Sequence, residues 1–158
     1  MEPSLLTLFC TNFVAYYRTH AAHVNVVGRN FTSDHQLLDM IYSDLQGEID
    51  VIAELLRTIN QEMPETLAET LDNSMINDEE ILDFGTGIGY LTAVYDMLEV
   101  LIEAHLDLED ETNKDREYNH LANYAQDRVK KLQKFRWQLR ATIEPRISSP
   151  EIESLEFH

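Results

Sequence analysis

The segment SDHQLLDMIYSDLQGEIDVIAELLRTI, residues 33–59, decides the fold. Its apolar residues Leu38, Ile41, Leu45, Ile49, Ile52, Leu56 and Ile59 recur at three- and four-residue intervals, the period of a helix with one face in a core. Ser33 and Gln36 form an S-x-x-Q capping box that predicts where this helix starts. The same segment carries metal-ligand side chains. His35 and Asp39 are one helical turn apart, and so are Asp50 and Glu54, so each pair projects from one face. From His35 to Asp50 is 15 residues, roughly 22 Å on a helix rising about 1.5 Å per residue. No metal ion spans that length. Either the pairs do unrelated work, or a second copy of the chain brings its Asp50 and Glu54 to this chain's His35.

Working outward, three more helical patterns flank this one. Upstream, Leu5, Leu8, Phe9, Phe13, Tyr17 and Val24 keep the same spacing until Gly28 offers a stop. Downstream, one pattern runs through Leu91, Val94, Leu98, Leu101, Ile102 and Leu106. The last runs through Leu121, Tyr124, Arg128, Leu132, Phe135, Leu139 and Ile143, with Pro145 expected to close it. Between the second and third patterns lies a connection from about Gln61 to Gly89. It holds Pro64, a short amphipathic piece (Thr66–Leu71), a cap expected at Asn77 and Glu80, and a glycine cluster. A long crossover in the middle of four helices predicts an all-α, ferritin-like four-helix bundle over residues 1–145, with a short helix in the crossover. Residues 146–158 read as an exposed acidic tail.

Composition agrees. A chain of 158 residues with 44% hydrophobic residues supports one domain with one core, and five Gly and four Pro argue against a β-rich or disordered chain. The net charge of −17 disfavours nucleic acid and anionic membranes and favours attracting cations. Cys10 is the only cysteine, so no intrachain disulfide can form, and a cytoplasmic home is expected. The apolar run Leu5–Tyr17 is preceded by Glu2 and no Lys or Arg, which argues against a signal peptide. It is also too short and polar to span a bilayer.

With His23 added, the ligand set is His23, His35, Asp39, Asp50 and Glu54. Two imidazoles and three carboxylates suit ferrous iron or zinc better than calcium, which takes oxygen ligands only. The stretch THAAHVNVVGRNFTSDHQLLD, residues 19–39, resembles the signature of the Dps family, mini-ferritins named as DNA-binding proteins from starved cells. DVIAE (residues 50–54) and KFRWQLR (residues 134–140) are similar to the same family, so the resemblance extends from residue 5 to about 145. It implies that His23, His35 and Asp39 face Asp50 and Glu54 of a two-fold mate. It also implies a shell of twelve subunits that oxidises ferrous iron, typically with hydrogen peroxide, at a di-iron site and stores the ferric mineral, protecting against oxidative damage.

Three features depart from that family. Val24 stands where a Trp usually follows the first histidine. The link between the last two helices, around Asp107–Glu117, looks long and acidic, either a solvated loop or the lining of a pore through which iron enters. Neither end offers a lysine-rich tail: no Lys or Arg precedes Arg18, and the last 12 residues hold three Glu and no Lys or Arg. The basic residues of the last helix scatter around its circumference and are expected to pair with acids or to ring a subunit interface. DNA binding through tails is therefore not expected.

Two motifs read as decoys. ILDFGTGIG, residues 81–89, resembles the nucleotide-binding motif of S-adenosylmethionine-dependent methyltransferases, but the strands of an α/β sheet are missing on both sides. It reads better as a glycine-rich approach to the third helix. Glu117 and His120 form a single E-x-x-H, whereas di-iron sites inside one bundle need two of these and two more glutamates. His20 is expected to support the site or pack in the core, and His105 to be packed. The rival to an iron-oxidising cage is a structural or DNA-protecting assembly whose metal site is vestigial or holds zinc.

Overall fold

The computed structural model describes residues 3–148. Its elements are α1 (Leu5–Asn25), α2 (Phe31–Thr58), α3 (Leu67–Asp72), α4 (Ile88–Thr112) and α5 (Asn119–Ile147), and no strand occurs among the described residues. α1 pairs with α2, α4 pairs with α5, and α1 also packs on α4. Most of the expected stripes face inward: Leu5, Leu8 and Phe9 of α1, Leu38, Ile41, Leu45, Ile52 and Leu56 of α2, Leu91, Val94, Leu98, Leu101 and Ile102 of α4, and Leu121, Leu132, Phe135, Leu139 and Ile143 of α5 are buried. Tyr17 and Val24 of α1 are exposed, and Val14, Ala15 and Ala22 turn inward instead. Burying each such side chain stabilises the bundle by about 2 kcal/mol before the entropy of ordering it is subtracted. α3 lies in the long crossover between α2 and α4, so this is the four-helix bundle the sequence predicts. Among the described residues no helix is long and apolar enough to cross a membrane.

The local differences concern helix ends. α2 starts at Phe31, two residues before the expected box, and Asn30 is its N-cap without a side-chain bond. The turn after Gly28 already occupies the first N–H groups: Phe31 donates to the Gly28 carbonyl (3.1 Å) and Asp34 to that of Asn30 (2.9 Å). Ser33 is left inside the helix with its hydroxyl turned back on the Asn30 carbonyl (3.1 Å). No helix begins at Asn77, and the crossover's cap is Thr66, whose hydroxyl accepts from the Glu69 N–H (3.2 Å). Much of Asp107–Glu117 is not a loop: α4 continues to Thr112, and only residues 113–118 link the helices.

Pro145 does not close the last helix either. α5 runs through it to Ile147. Proline removes the bond to the Ala141 carbonyl so near the helix end that little is lost. The next residue, Arg146, holds the final turn by donating to both Asp34 oxygens (2.8 and 2.9 Å) and to the Thr86 carbonyl (2.6 Å). Residues 149–158 of the expected tail lie outside the described residues.

The glycine cluster passes over this clasp. Gly87, the N-cap of α4, has φ +85°, and a Cβ there would sit 2.6 Å from the Asp34 carboxylate. Gly28, with φ +129°, lies under the same strand of chain: its Cβ would approach the Gly85 carbonyl to 2.7 Å. Asp83 accepts from the N–H groups of Gly85 (3.0 Å), Gly87 (3.2 Å) and Gly89 (2.7 Å), serving the start of α4 from four residues upstream. Residues 81–84 are irregular, so the nucleotide-binding likeness lacks its strand.

Most cations of α5 do pair with acids. Arg128 donates to both Asp44 oxygens (3.3 and 2.6 Å), and its Nε lies 3.3 Å from Glu48, an ion-pair contact without hydrogen-bond geometry. Arg136 reaches Glu99 (3.4 Å) and stacks over Tyr95. His105 is fully buried, as expected, and His120 is exposed beside the Thr58 hydroxyl (3.0 Å).

Candidate metal centre

His23 occupies the last turn of α1 and His35 the second turn of α2, on either side of the corner at residues 26–30. Their rings stack, with centroids 3.8 Å apart and planes 15° from parallel. His23 Nδ1 lies 2.8 Å from the His35 carbonyl oxygen, and His35 Nδ1 lies 2.7 Å from the His23 carbonyl oxygen. A carbonyl only accepts, so each Nδ1 is the donor. In a neutral ring that leaves Nε2 with its lone pair, the form in which imidazole binds metal. The corner thus presents two oriented ligand nitrogens, each fixed by the hydrogen bond on its other face.

Phe31 flanks the stack on the His35 side (4.9 Å between centroids) and Tyr42 on the His23 side (4.9 Å). Tyr42 in turn stacks on His20 (4.0 Å, 21°), and the Tyr16 hydroxyl lies 3.1 Å from His20 Nδ1. His20 is therefore linked to the histidine pair through the Tyr42 ring. Sequence reasoning overlooked Phe31, Tyr42 and Tyr16. The signal was present: Tyr16, His20 and His23 are spaced four and three, and Tyr42 is two turns beyond His35.

Asp39 is exposed one turn along α2, accepting from the Ser43 hydroxyl (3.1 Å). Asp50 and Glu54 are also exposed, one turn apart farther along the same helix. Glu54 is held above the usual carboxylate range, first by a hydrogen bond shared with Asp50, then by that neighbour's charge, and least by desolvation. Two carboxylates crowded in this way gain from a cation between them.

α2 is unbroken across all four of its ligand residues. The chain therefore brings together His23 with His35, and Asp50 with Glu54, while the helix keeps the pairs roughly 22 Å apart. Among the described residues no group of three or more His, Cys, Asp or Glu is disposed to hold a metal within one chain.

Comparison with known proteins points one way. The sequence pattern of the ferritin-like domain matches residues 4–147. The chain is 34% identical over 65 residues to the DNA protection during starvation protein of Brevibacillus brevis, covering 41% of this chain and 44% of that one, so this match spans less than half of the relative. It is 27% identical over 133 residues to general stress protein 20U of Bacillus subtilis, covering 82% and 88%. The Dps protein of Vibrio cholerae, described as a member of a superfamily of ferritin-like diiron-carboxylate proteins, superposes with a TM-score of 0.81 at 23% identity, covering 89% and 87%.

Proposed function

This chain belongs to the ferritin-like domain family, with the Dps proteins as its structural neighbours, and we propose that it oxidises ferrous iron at a centre shared between two copies. In this reading His23, His35 and Asp39 of one copy meet Asp50 and Glu54 of its two-fold mate. Ferrous iron is the substrate, hydrogen peroxide the oxidant, and the ferric product is stored as mineral within a shell of twelve copies.

One observation carries the reading. The reciprocal histidine bonds prepare two Nε2 lone pairs at the corner, with Asp39 one turn along α2, while the matching carboxylates stand elsewhere on the same rigid helix. An isologous contact supplies what each copy lacks, and does so twice. Carboxylate charge then favours ferric over ferrous iron, while the imidazoles keep the ion in place. The Asp50–Glu54 pair, crowded in the separate chain, is relieved when a cation sits between the two side chains.

The test is ferrous oxidation with peroxide by the intact protein and by His35→Ala. The intact protein is expected to oxidise iron rapidly and the variant to approach the uncatalysed rate. Equal rates would overturn the reading and favour an assembly with a vestigial or zinc-holding site. Size exclusion gives a second check: twelve chains of 18.4 kDa make about 220 kDa, and a monomer in solution would exclude a shared centre.

A further inference from the structure

The crossover also roofs a groove between α1 and α4. Met75 ties it to α1 by donating its N–H to the Thr11 hydroxyl (3.0 Å). Beneath it lies a cavity of about 1070 Å³, large enough for a small organic molecule. Ile76 and Ile81 of the crossover and Ile88 and Val100 of α4 line it. Leu82 and Phe84 stand at it with 76% and 92% of their surface open to water. The only cation among the described residues that line it is Arg18 of α1. The chain has 29 acidic residues, yet none is placed against this guanidinium. The other arginines that are not fully exposed, Arg128, Arg136 and Arg146, each contact a carboxylate. Arg18 instead donates from Nη1 to the Met97 thioether (3.3 Å), a weak acceptor, and its Nε is enclosed without a hydrogen-bond partner. Among the described residues no carboxylate is in ion-pair contact with it.

We propose that this cavity binds an amphipathic monocarboxylate, a fatty acid of medium chain length, with its carboxylate on Arg18 and its alkyl chain along Ile76, Ile81, Ile88 and Val100. The site is independent of the ferrous-oxidising reading above. Its lining selects the ligand. A guanidinium holds a carboxylate through paired, charge-assisted hydrogen bonds, and partial burial strengthens them. The apolar walls accept a hydrocarbon, and a chain laid against Leu82 and Phe84 removes both side chains from water. The rim disfavours the rivals. Glu79, Glu80 and Asp96 line the cavity as exposed side chains. They repel a phosphate or a polyanion, whose charge one guanidinium does not offset. A cationic amphiphile meets those acids but leaves Arg18 unpaired, with like charge beside it. An uncharged chain fills the walls and leaves the guanidinium unpaired. A single carboxylate on an aliphatic body pairs Arg18, covers the apolar surface and leaves the acids in water.

Isothermal titration calorimetry of the assembled full-length protein tests this, with decanoate held below its micellar concentration and with decanol, decyltrimethylammonium and acetate as comparisons. Decanoate is expected to bind once per chain. Decanol and decyltrimethylammonium should bind about tenfold or more weakly, and acetate, which has the charge without the chain, should not bind measurably. Arg18→Met keeps an apolar side chain of similar length and removes a charge that nothing in the described chain pairs. It should therefore fold at least as stably as wild type and bind decanoate about tenfold or more weakly. Arg18→Gln, neutral but still a donor, makes the same comparison should the Met variant fail to fold. Phe84→Ser, at an almost fully exposed side chain, should fold as wild type and bind decanoate severalfold more weakly. The proposal is overturned if decanoate does not bind the assembled protein, as when a neighbouring copy covers the groove. It is equally overturned if a folded neutral variant of Arg18 binds decanoate as tightly as wild type does. Tighter binding of decyltrimethylammonium than of decanoate would also overturn it, since the acids and not Arg18 would then choose the ligand.

Discussion

His23 and His35 each donate a ring N–H to the other's backbone carbonyl, at 2.8 and 2.7 Å, across the corner that joins α1 to α2. The arrangement is structural and chemical together. It ties the end of one helix to the start of the next, and it fixes both rings in the tautomer that leaves Nε2 available.

Replacing either histidine removes one of the two bonds and leaves the other. His23→Ala removes the donor to the His35 carbonyl but leaves its own carbonyl to receive the His35 ring. The corner should therefore lose about 1 kcal/mol, one hydrogen bond's net worth, together with the stacking contact. Ferrous affinity should fall by more than about tenfold, as expected when a ligand is lost and not merely its support. Denaturant unfolding and anaerobic ferrous titration measure the two effects separately. A large loss of stability with unchanged iron affinity would show that the pair is a clasp only.

Asp34 and Arg146 form the other tie at this end of the bundle. Asp34 is 1% exposed, so Arg146→Ala strands a carboxylate in the interior. The cost should be about 3–5 kcal/mol, whereas Asp34→Ala with Arg146→Ala should cost less than Arg146→Ala alone. Unfolding free energies of the three proteins check this. A double variant less stable than Arg146→Ala would contradict the account.

These two ties show what was legible in the sequence. The helices could be read because Leu38, Ile41, Leu45 and their successors repeat with the helical period, and burial follows period directly. The Asp50–Glu54 pair could be read because one-turn spacing on a helix implies a shared face, whereas the meeting of His23 with His35 depends on the corner between two helices. The ends were less legible. Capping at Ser33 and closure at Pro145 are local rules, and each was overridden from a distance: the Gly28 turn lies under the Gly85 carbonyl, and Arg146 is held by Asp34, 112 residues away. The glycines around Gly87 looked like a nucleotide loop because close passage over another group also demands glycine. Tyr42 and Tyr16 went unnoticed because their role depends on two helices meeting, although the spacing on each helix was visible.

His105 gives a pH dependence. Burial lowers its pKa to about 4, outweighing the bond its Nδ1 donates to the Leu101 carbonyl (2.7 Å), and the Arg128 charge lowers it further. Below its ordinary value of 6.5 the unfolded chain takes up a proton that the folded chain refuses until about pH 4. The unfolded state therefore binds more protons in that window, and stability is lost as pH falls through it, by about 3 kcal/mol in total. His105→Gln should flatten this part of the profile. Unfolding curves of both proteins between these pH values test it, and identical slopes would contradict the burial argument.

The central claim is that neither histidines nor carboxylates work within one copy, and mixed assemblies test it most directly. His35→Ala and the double variant Asp50→Asn with Glu54→Gln should each assemble and each fail to oxidise ferrous iron. Co-expressed, they allow a dimer in which one copy contributes intact His23, His35 and Asp39 and the other contributes intact Asp50 and Glu54. With random pairing, roughly a quarter of the centres should be complete, and ferrous oxidation should return to about that share of the intact rate. If the mixed assemblies form but stay inactive, the centre does not lie between copies and the account is wrong.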